Sequence, residues 1–296
     1  MRKLITLLSI ATTLFAAHGC KKNDTEDTGP KLRFKFVFDN TLPRLNNFGQ
    51  EVTALPSGHS AQSPSFNLMG AHYIELAPNA NTALGTGDVL YKGEETTQGG
   101  EKALIFDKEK LVANNEEFYS IPLKNVTAGT YEWLRVSLAY QNYDIDYRYS
   151  GQIYHGTIAS FIGYNTYINS YKVKTQNINI DGNKKQGYWG FETTNFGITT
   201  KLEGQVPAGG TTVPNPLFGT SGIPAGSCVV TGSFPNGTPL VITGNETEDI
   251  TIVVKVSTNK SFEWIDNGND GYYDTDPNNT DAVVDMGVRG IFPEVE

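Results

Sequence analysis

The sequence predicts an all-β protein, a single antiparallel β-sandwich domain with at most one short helix. Three observations carry this. Apolar and polar residues alternate along most of the chain, the segments between these runs are rich in Gly, Pro, Asn and Asp, and about a dozen such runs follow one another without helical periodicity between them. Composition agrees: 296 residues with 38% apolar and 11% aromatic content, 31 Gly and 14 Pro describe a globular chain long enough to bury a core. A mean hydropathy of −0.34 with one apolar run excludes a polytopic helical membrane protein.

The chain opens on an address. Met1-Arg2-Lys3 supplies a positive n-region, Leu4 to Ala17 an apolar stretch, and Ala17-His18-Gly19-Cys20 a small residue just before cysteine. This resembles the bacterial lipoprotein signal, in which residues 1–19 are removed and Cys20 carries lipid at the mature N-terminus; an ordinary secretory leader is the alternative. Fourteen residues at about 1.5 Å each do not cross a hydrocarbon core of about 30 Å, so a transmembrane anchor is not expected. Residues 20–30, Cys20-Lys21-Lys22-Asn23-Asp24-Thr25-Glu26-Asp27-Thr28-Gly29-Pro30, are polar and turn-rich and read as a flexible tether. Its acidic residues are similar to the export signal of surface lipoproteins of Bacteroidetes type. The expected location is therefore the outer membrane, on its periplasmic or cell-surface face, with lipid as the membrane contact. Loss of Arg2 and Lys3 with the leader leaves 21 basic against 32 acidic residues, a net charge of −11 that repels nucleic acid. Cys228 is then the one thiol beyond Cys20, so burial rather than an internal disulfide framework must hold the domain.

The folded domain is expected over 31–296. Leu32, Phe34, Phe36 and Phe38 alternate with Arg33, Lys35 and Val37, and Ile250, Ile252, Val254 and Val256 repeat the pattern near the C-terminus. Between Tyr131 and Tyr140 the phase shifts, as in a strand with a bulge. Further strands are expected over Ala71 to Leu76, Phe118 to Leu123, Ile153 to Tyr164, Tyr167 to Thr175, Tyr188 to Thr193, Ile198 to Leu202, Cys228 to Phe234 and Leu240 to Thr243. Turns are expected at Asp181-Gly182-Asn183, Pro207 to Gly210, Pro214-Asn215-Pro216, Pro224-Ala225-Gly226 and Pro235-Asn236-Gly237. The single helix candidate is Glu101 to Ala113. With no internal repeat or interior linker, and with a tail strand that must find partners elsewhere in the chain, one domain follows.

Three constellations carry chemistry. Asp266-Asn267-Gly268-Asn269-Asp270-Gly271-Tyr272-Tyr273-Asp274-Thr275-Asp276 places oxygen side chains at positions 1, 5 and 9 of a calcium loop and a glycine at position 6, with Gly268 in place of Asp or Asn at position 3; Asp266, Asp270, Asp274 and Asp276 are the candidate ligands, with Asp281 and Asp285 to complete the set. A solvated acidic hairpin is the other reading. Pro277 at the twelfth position excludes the helix-loop-helix form. His59, His72 and His155 are the mature histidines, and no His-x-His or Cys-x-x-Cys spacing joins them, so a metal site must be assembled by tertiary contact. His72 shares parity with Ile74 and Leu76, which reads equally as a core histidine bonded to a carbonyl. Tyr188-Trp189 and the cluster holding Tyr143 and Tyr147 mix aromatic faces with amide and carboxylate groups, a combination that serves as a glycan platform or as core filling. No nucleophile elbow, phosphate loop or zinc-protease helix occurs, and Cys228 in Cys228-Val229-Val230 reads as a buried thiol, so no catalytic residue is expected.

The opening strand Leu32-Arg33-Phe34-Lys35-Phe36, the segment Ala71-His72-Tyr73-Ile74-Glu75-Leu76, the turn Val126-Thr127-Ala128-Gly129-Thr130-Tyr131, and the ending from Ile252-Val253-Val254-Lys255-Val256 to Ser261-Phe262-Glu263-Trp264 resemble the MbnP-like lipoproteins. That resemblance implies a β-rich copper-binding protein with histidines and an oxidised tryptophan at the metal. His59, His72 and His155 would supply imidazoles, and Trp133, Trp189 or Trp264 the indole. The expectation is a lipid-anchored, non-catalytic binding protein of the envelope whose ligand is a metal, copper by resemblance. The alternative is a surface glycan-binding or adhesive module stabilised by calcium.

Overall fold

Side chains two residues apart share a face of an extended strand, so an apolar row at even positions folds only where another sheet covers it. The computed structural model describes residues 29–46, 50–206, 227–235 and 237–296. The leader, Cys20 and the tether up to residue 28 lie outside the described residues, as do the turns expected at Pro207 to Gly210, Pro214-Asn215-Pro216 and Pro224-Ala225-Gly226, and Asn236.

The strands run, in chain order, as β1 (Lys31–Asp39), β2 (His59–Gln62), β3 (Ser65–Ala77), β4 (Asp88–Lys92), β5 (Glu95–Thr96), β6 (Ala103–Ile105), β7 (Glu116–Pro122), β8 (Gly129–Tyr131), β9 (Trp133–Tyr149) and β10 (Gln152–Phe161). They continue as β11 (Thr166–Lys172), β12 (Asn177–Lys184), β13 (Tyr188–Asn195), β14 (Ile198–Gln205), β15 (Cys228–Ser233), β16 (Leu240–Ile242), β17 (Ile250–Ser257), β18 (Phe262–Ile265), β19 (Ala282–Asp285) and β20 (Ile291–Val295). The expected all-β sandwich is what forms. A seven-stranded sheet in the order β14-β13-β10-β9-β3-β4, with β15 beside the first half of β9, is its centre. A four-stranded sheet, β20-β17-β1-β7, covers part of it, and a three-stranded sheet, β19-β18-β2, and a second four-stranded sheet, β12-β11-β6-β5, cover the rest. The first and last long strands, β1 and β17, pair in parallel from Leu32↔Ile250 to Asp39↔Ser257, which ties the two ends of the domain together.

The core follows the expected parity. Leu32, Phe34, Phe36, Ile252, Val254 and Val256 are buried and meet Ala71, Ile74, Leu76, Leu134, Val136 and Leu138 of the central sheet. The phase shift in β9 has a precise cause. Glu132 separates β8 from β9, and Ala139 is then an extra residue between Leu138↔Ala71 and Tyr140↔Gly70. Beyond Ala139 the parity inverts: Tyr140 packs with Phe161, Tyr171 and Tyr188, whereas Tyr143 and Ile145 pack with Phe262 and Trp264 of β18.

Two expectations are corrected. Residues 101–113 form no α-helix but β6, a 3-10 turn at Phe106–Lys108 and a bridge from Val112 to Met69. The reason is packing: Val112 belongs to one core cluster and its neighbour Leu111 packs against another, an opposition that extended backbone provides and a helix does not. Asp181-Gly182-Asn183 is not a turn; β12 runs through it, with Asp181 at φ 53° where the register against β11 shifts.

Candidate functional site

The three-stranded sheet has two unlike faces. Phe262 and Trp264 of β18 point into the core. Glu263 between them points the other way, opposite Asp285 of β19 and diagonal to His59, since β2 pairs Ala61 with Glu263 and His59 with Ile265. A strand that alternates apolar and charged residues thus presents a carboxylate on the face away from its core.

Two arginines from loops meet that carboxylate. Arg44 Nη2 donates to Glu263 Oε2 at 2.6 Å, Arg289 Nη2 donates to the same oxygen at 2.7 Å, and His59 Nδ1 lies 2.7 Å from Oε1. Arg289 Nη1 also pairs with Asp285 Oδ2 at 2.9 Å. The loops are clamped: Leu45 N–H donates to the Arg289 carbonyl at 2.7 Å, and Leu45 lies so close to Gly290 that a Cβ there would stand 2.6 Å from its side chain. Gly290 is also at φ 110°, a conformation that glycine alone adopts readily.

Beside the cluster lies a cavity of about 740 Å³, within the usual size of a small-molecule site. Its lining includes the charged or polar Arg44, His59, Glu263, Asp285 and Arg289 and the apolar Leu45, Val52, Leu55, Pro56, Val230 and Val288. Burial by itself would raise the Glu263 carboxyl, but hydrogen bonds from His59 and Arg44 and the charges of Arg289 and Arg44 outweigh it and hold the group below its ordinary value. Asp285 goes the other way: burial raises it more than the Arg289 charge and the Gly287 N–H lower it. Arg44 is 9% exposed, and neither its Nη1 nor Arg289 Nε meets a hydrogen-bond partner.

The residues singled out in the sequence fall elsewhere, except His59. His72 is fully buried on β3, where it is the extra residue between Ala71↔Leu138 and Tyr73↔Ser137. It bonds not to a carbonyl but to Glu95, Nε2 to Oε1 at 3.0 Å, and its ring stacks on Tyr164 at 5.7 Å. His155 stands on β10 with an exposed ring and bonds Asp146 at 2.6 Å. Trp189 is half-buried on β13 opposite Gly204, where any Cβ would press on the indole. Trp133 is half-buried at the start of β9, and Trp264 is enclosed with Phe262 and Tyr273. Each of the three imidazoles is bonded to a different carboxylate, and among the described residues no three His, Cys, Asp or Glu side chains gather as metal ligands.

The glycan platform is corrected in part. Tyr143 and Tyr188 are core residues, and Tyr147 is buried with its hydroxyl 3.0 Å from Thr193, so these rings offer no open face for a sugar. Cys228 is buried as expected, and loss of solvation pushes its thiol up to about 12, which leaves no thiolate near neutral pH.

The Asp266 to Asp276 loop is organised around a cation that the chain itself supplies. Arg148 Nε donates to Asp274 Oδ1 at 2.6 Å, and its Nη2 reaches both Asp274 Oδ2 and Asp270 Oδ2 at 2.5 Å. Asp266 accepts backbone N–H groups of Asp270 and Gly271 and the Ser60 hydroxyl, Asp276 accepts the Asn278 N–H, and Asp281 accepts those of Asn267 and Asp274. A calcium ion between Asp270 and Asp274 would have to displace that guanidinium.

Sequence reasoning did not reach Arg44 and Arg289, took Asp285 as a further calcium ligand, and met Glu263 only within the family resemblance. Pro43-Arg44-Leu45 and Val288-Arg289-Gly290 carry no spacing signal, and the sole hint is Glu263 between two aromatics. Comparison of the chain with protein-family models, with curated proteins and with solved structures finds no match.

Proposed function

We propose that the protein is a non-catalytic binding protein of the bacterial envelope, anchored through lipid on Cys20, that takes a small ligand into the cavity beside Glu263. The carrying observation is that cavity of about 740 Å³, whose lining holds Arg44, His59, Glu263 and Arg289 together with apolar residues. Those polar groups are held by bonds to one another, an arrangement that fixes a surface for recognition. The leader and tether support the location. Native mass spectrometry of the protein extracted in mild detergent from its own envelope fraction should show an acylated Cys20 and a small molecule bound to a fraction of the chains. An unprocessed leader overturns the anchor, and uniformly empty protein that no member of a small-molecule library protects from melting overturns the cavity.

The MbnP-like reading, with copper as ligand, rests on the sequence pattern. Elemental analysis of the same sample tests it: bound copper at near-stoichiometric level supports it, and its absence after growth in copper-supplemented medium removes it.

A further inference from the structure

The central sheet ends on an open strand. Every residue of β14 except Gly204 is exposed, Ile198 at 70% and Leu202 at 55% among them, and among the described residues only β13 pairs with it. That ladder runs without a shift from Tyr188↔Gln205 to Asn195↔Ile198. An edge of this length with no bulge and no proline is a template for another strand. Its backbone groups have a fixed polarity. The Val206 N–H donates to the Gly187 carbonyl at 3.0 Å, one step beyond the ladder. Alternation then turns the backbone groups of Ile198, Thr200, Leu202 and Gly204 toward β13, and those of Thr199, Lys201, Glu203 and Gln205 outward.

The outward row is complementary to itself. A second copy arriving antiparallel must bond through the same odd-numbered residues, so its register can change only in steps of two. With Leu202 opposite its own counterpart, Lys201 faces Glu203 twice and Ile198 faces Val206 twice. One step either way sets Lys201 against Lys201 or Glu203 against Glu203, which like-charge repulsion disfavours. Lys201 Nζ donates to the Asn177 carbonyl at 2.8 Å and Glu203 accepts the Tyr188 hydroxyl; an ammonium with three donors and a carboxylate with two oxygens can each take a further partner. On the other face Phe191 lies opposite Leu202 across the ladder, so the pairing would make an apolar row of four side chains. From this charge and register match we infer that β14 is a self-association edge: two copies of the chain pair antiparallel through it about a two-fold axis at Leu202, joining their central sheets.

The test is analytical ultracentrifugation of the full mature chain carrying Cys20→Ser, so that lipid does not drive association. A concentration-dependent dimer is expected. Lys201→Glu and Glu203→Lys should each weaken it about tenfold, since each reversal replaces two attractive cross-strand pairs with two repulsive ones, and the double reversal should restore it. All three changes are at exposed positions, and circular dichroism should show the same fold. Register is read by cross-linking. Leu202→Cys should form an intermolecular disulfide on oxidation, because directly opposite residues stand about 4.5 Å apart between Cα atoms, whereas Thr200→Cys should not, its counterpart lying about 13 Å along the pair. A chain that stays monomeric, whether its edge is bare or covered by residues 207–226, overturns the inference. So does a dimer that both single reversals leave intact, which would place the contact elsewhere, or one that cross-links equally through Thr200→Cys.

Discussion

Two charged clusters lie on adjoining segments of the C-terminal third, and they are built to opposite ends. Around Arg148, one guanidinium is surrounded by Asp270 and Asp274, while Asp266 and Asp281 are occupied by backbone N–H groups of the same loop. Around Glu263, one carboxylate is surrounded by Arg44, Arg289 and His59, and a cavity lies beside them. The acidic loop has the sequence of a binding site and the structure of a closed strut. The Glu263 cluster has no motif at all, and its two guanidinium groups are matched by Glu263 and Asp285. What distinguishes the two clusters here is the space beside the second, rather than the density of charged residues.

The comparison can be broken at its centre first. Glu263→Ala should destabilise the fold by about 3–5 kcal/mol, because removing one partner of a buried ion pair strands the others without a counter-charge. Chemical denaturation measures it, and a loss below about 1 kcal/mol would mean that the arginines are hydrated and the ion pairs are not buried as described.

Glu109 sharpens the contrast, as a carboxylate with no cation at all. Burial pushes it up to about 8 from 4.5, and neither of its oxygens has a hydrogen-bond partner. A raised carboxyl stabilises the fold fully below the unfolded value and loses that contribution as pH rises through the folded one. Stability should therefore fall between pH 4.5 and about 8 in the wild type, and Glu109→Gln should flatten that slope. Glu263, held low, has the opposite sign: its contribution is present above the unfolded carboxylate range and is lost as pH drops below it. Thermal melts across pH separate the two, and an unchanged slope in Glu109→Gln would contradict the burial described.

The smallest effect is expected at the acidic loop. Because Arg148 already supplies the positive charge, the wild type should melt at the same temperature in chelator and in millimolar calcium. Arg148→Met should melt lower in chelator and regain part of the loss in calcium, since an ion bound only by the folded state stabilises it by mass action. A calcium-dependent melt of the wild type would show that the guanidinium yields its place.

Much of the architecture was legible because strand periodicity is local. Leu32, Phe34 and Phe36, with Ile252, Val254 and Val256, are core residues as their alternation required, and Cys228 is the buried thiol its neighbours implied. The errors arose where a side chain's environment was set from outside its own segment. Residues 101–113 have helical composition, yet neighbouring strands take Ala103–Ile105 into a sheet and Val112 into a bridge. His72 is inward as its parity implied, but it sits at a bulge, and its partner is not a carbonyl but Glu95 of another sheet. Tyr143 and Tyr188 had the residue types of a sugar platform and are enclosed, because the parity inversion at Ala139 and the sheets on either side of β9 cover them.

The sequence by itself determined the all-β class, the inward rows of its long strands and the acidity of the chain, because each of these depends on backbone geometry or composition within a few residues. Tertiary structure alone decided which charges meet: Arg44 and Glu263 are 219 residues apart in the chain and 2.6 Å apart in space. Ion pairing depends on distance through space and on the exclusion of water, and neither is encoded in the spacing of residues along a strand.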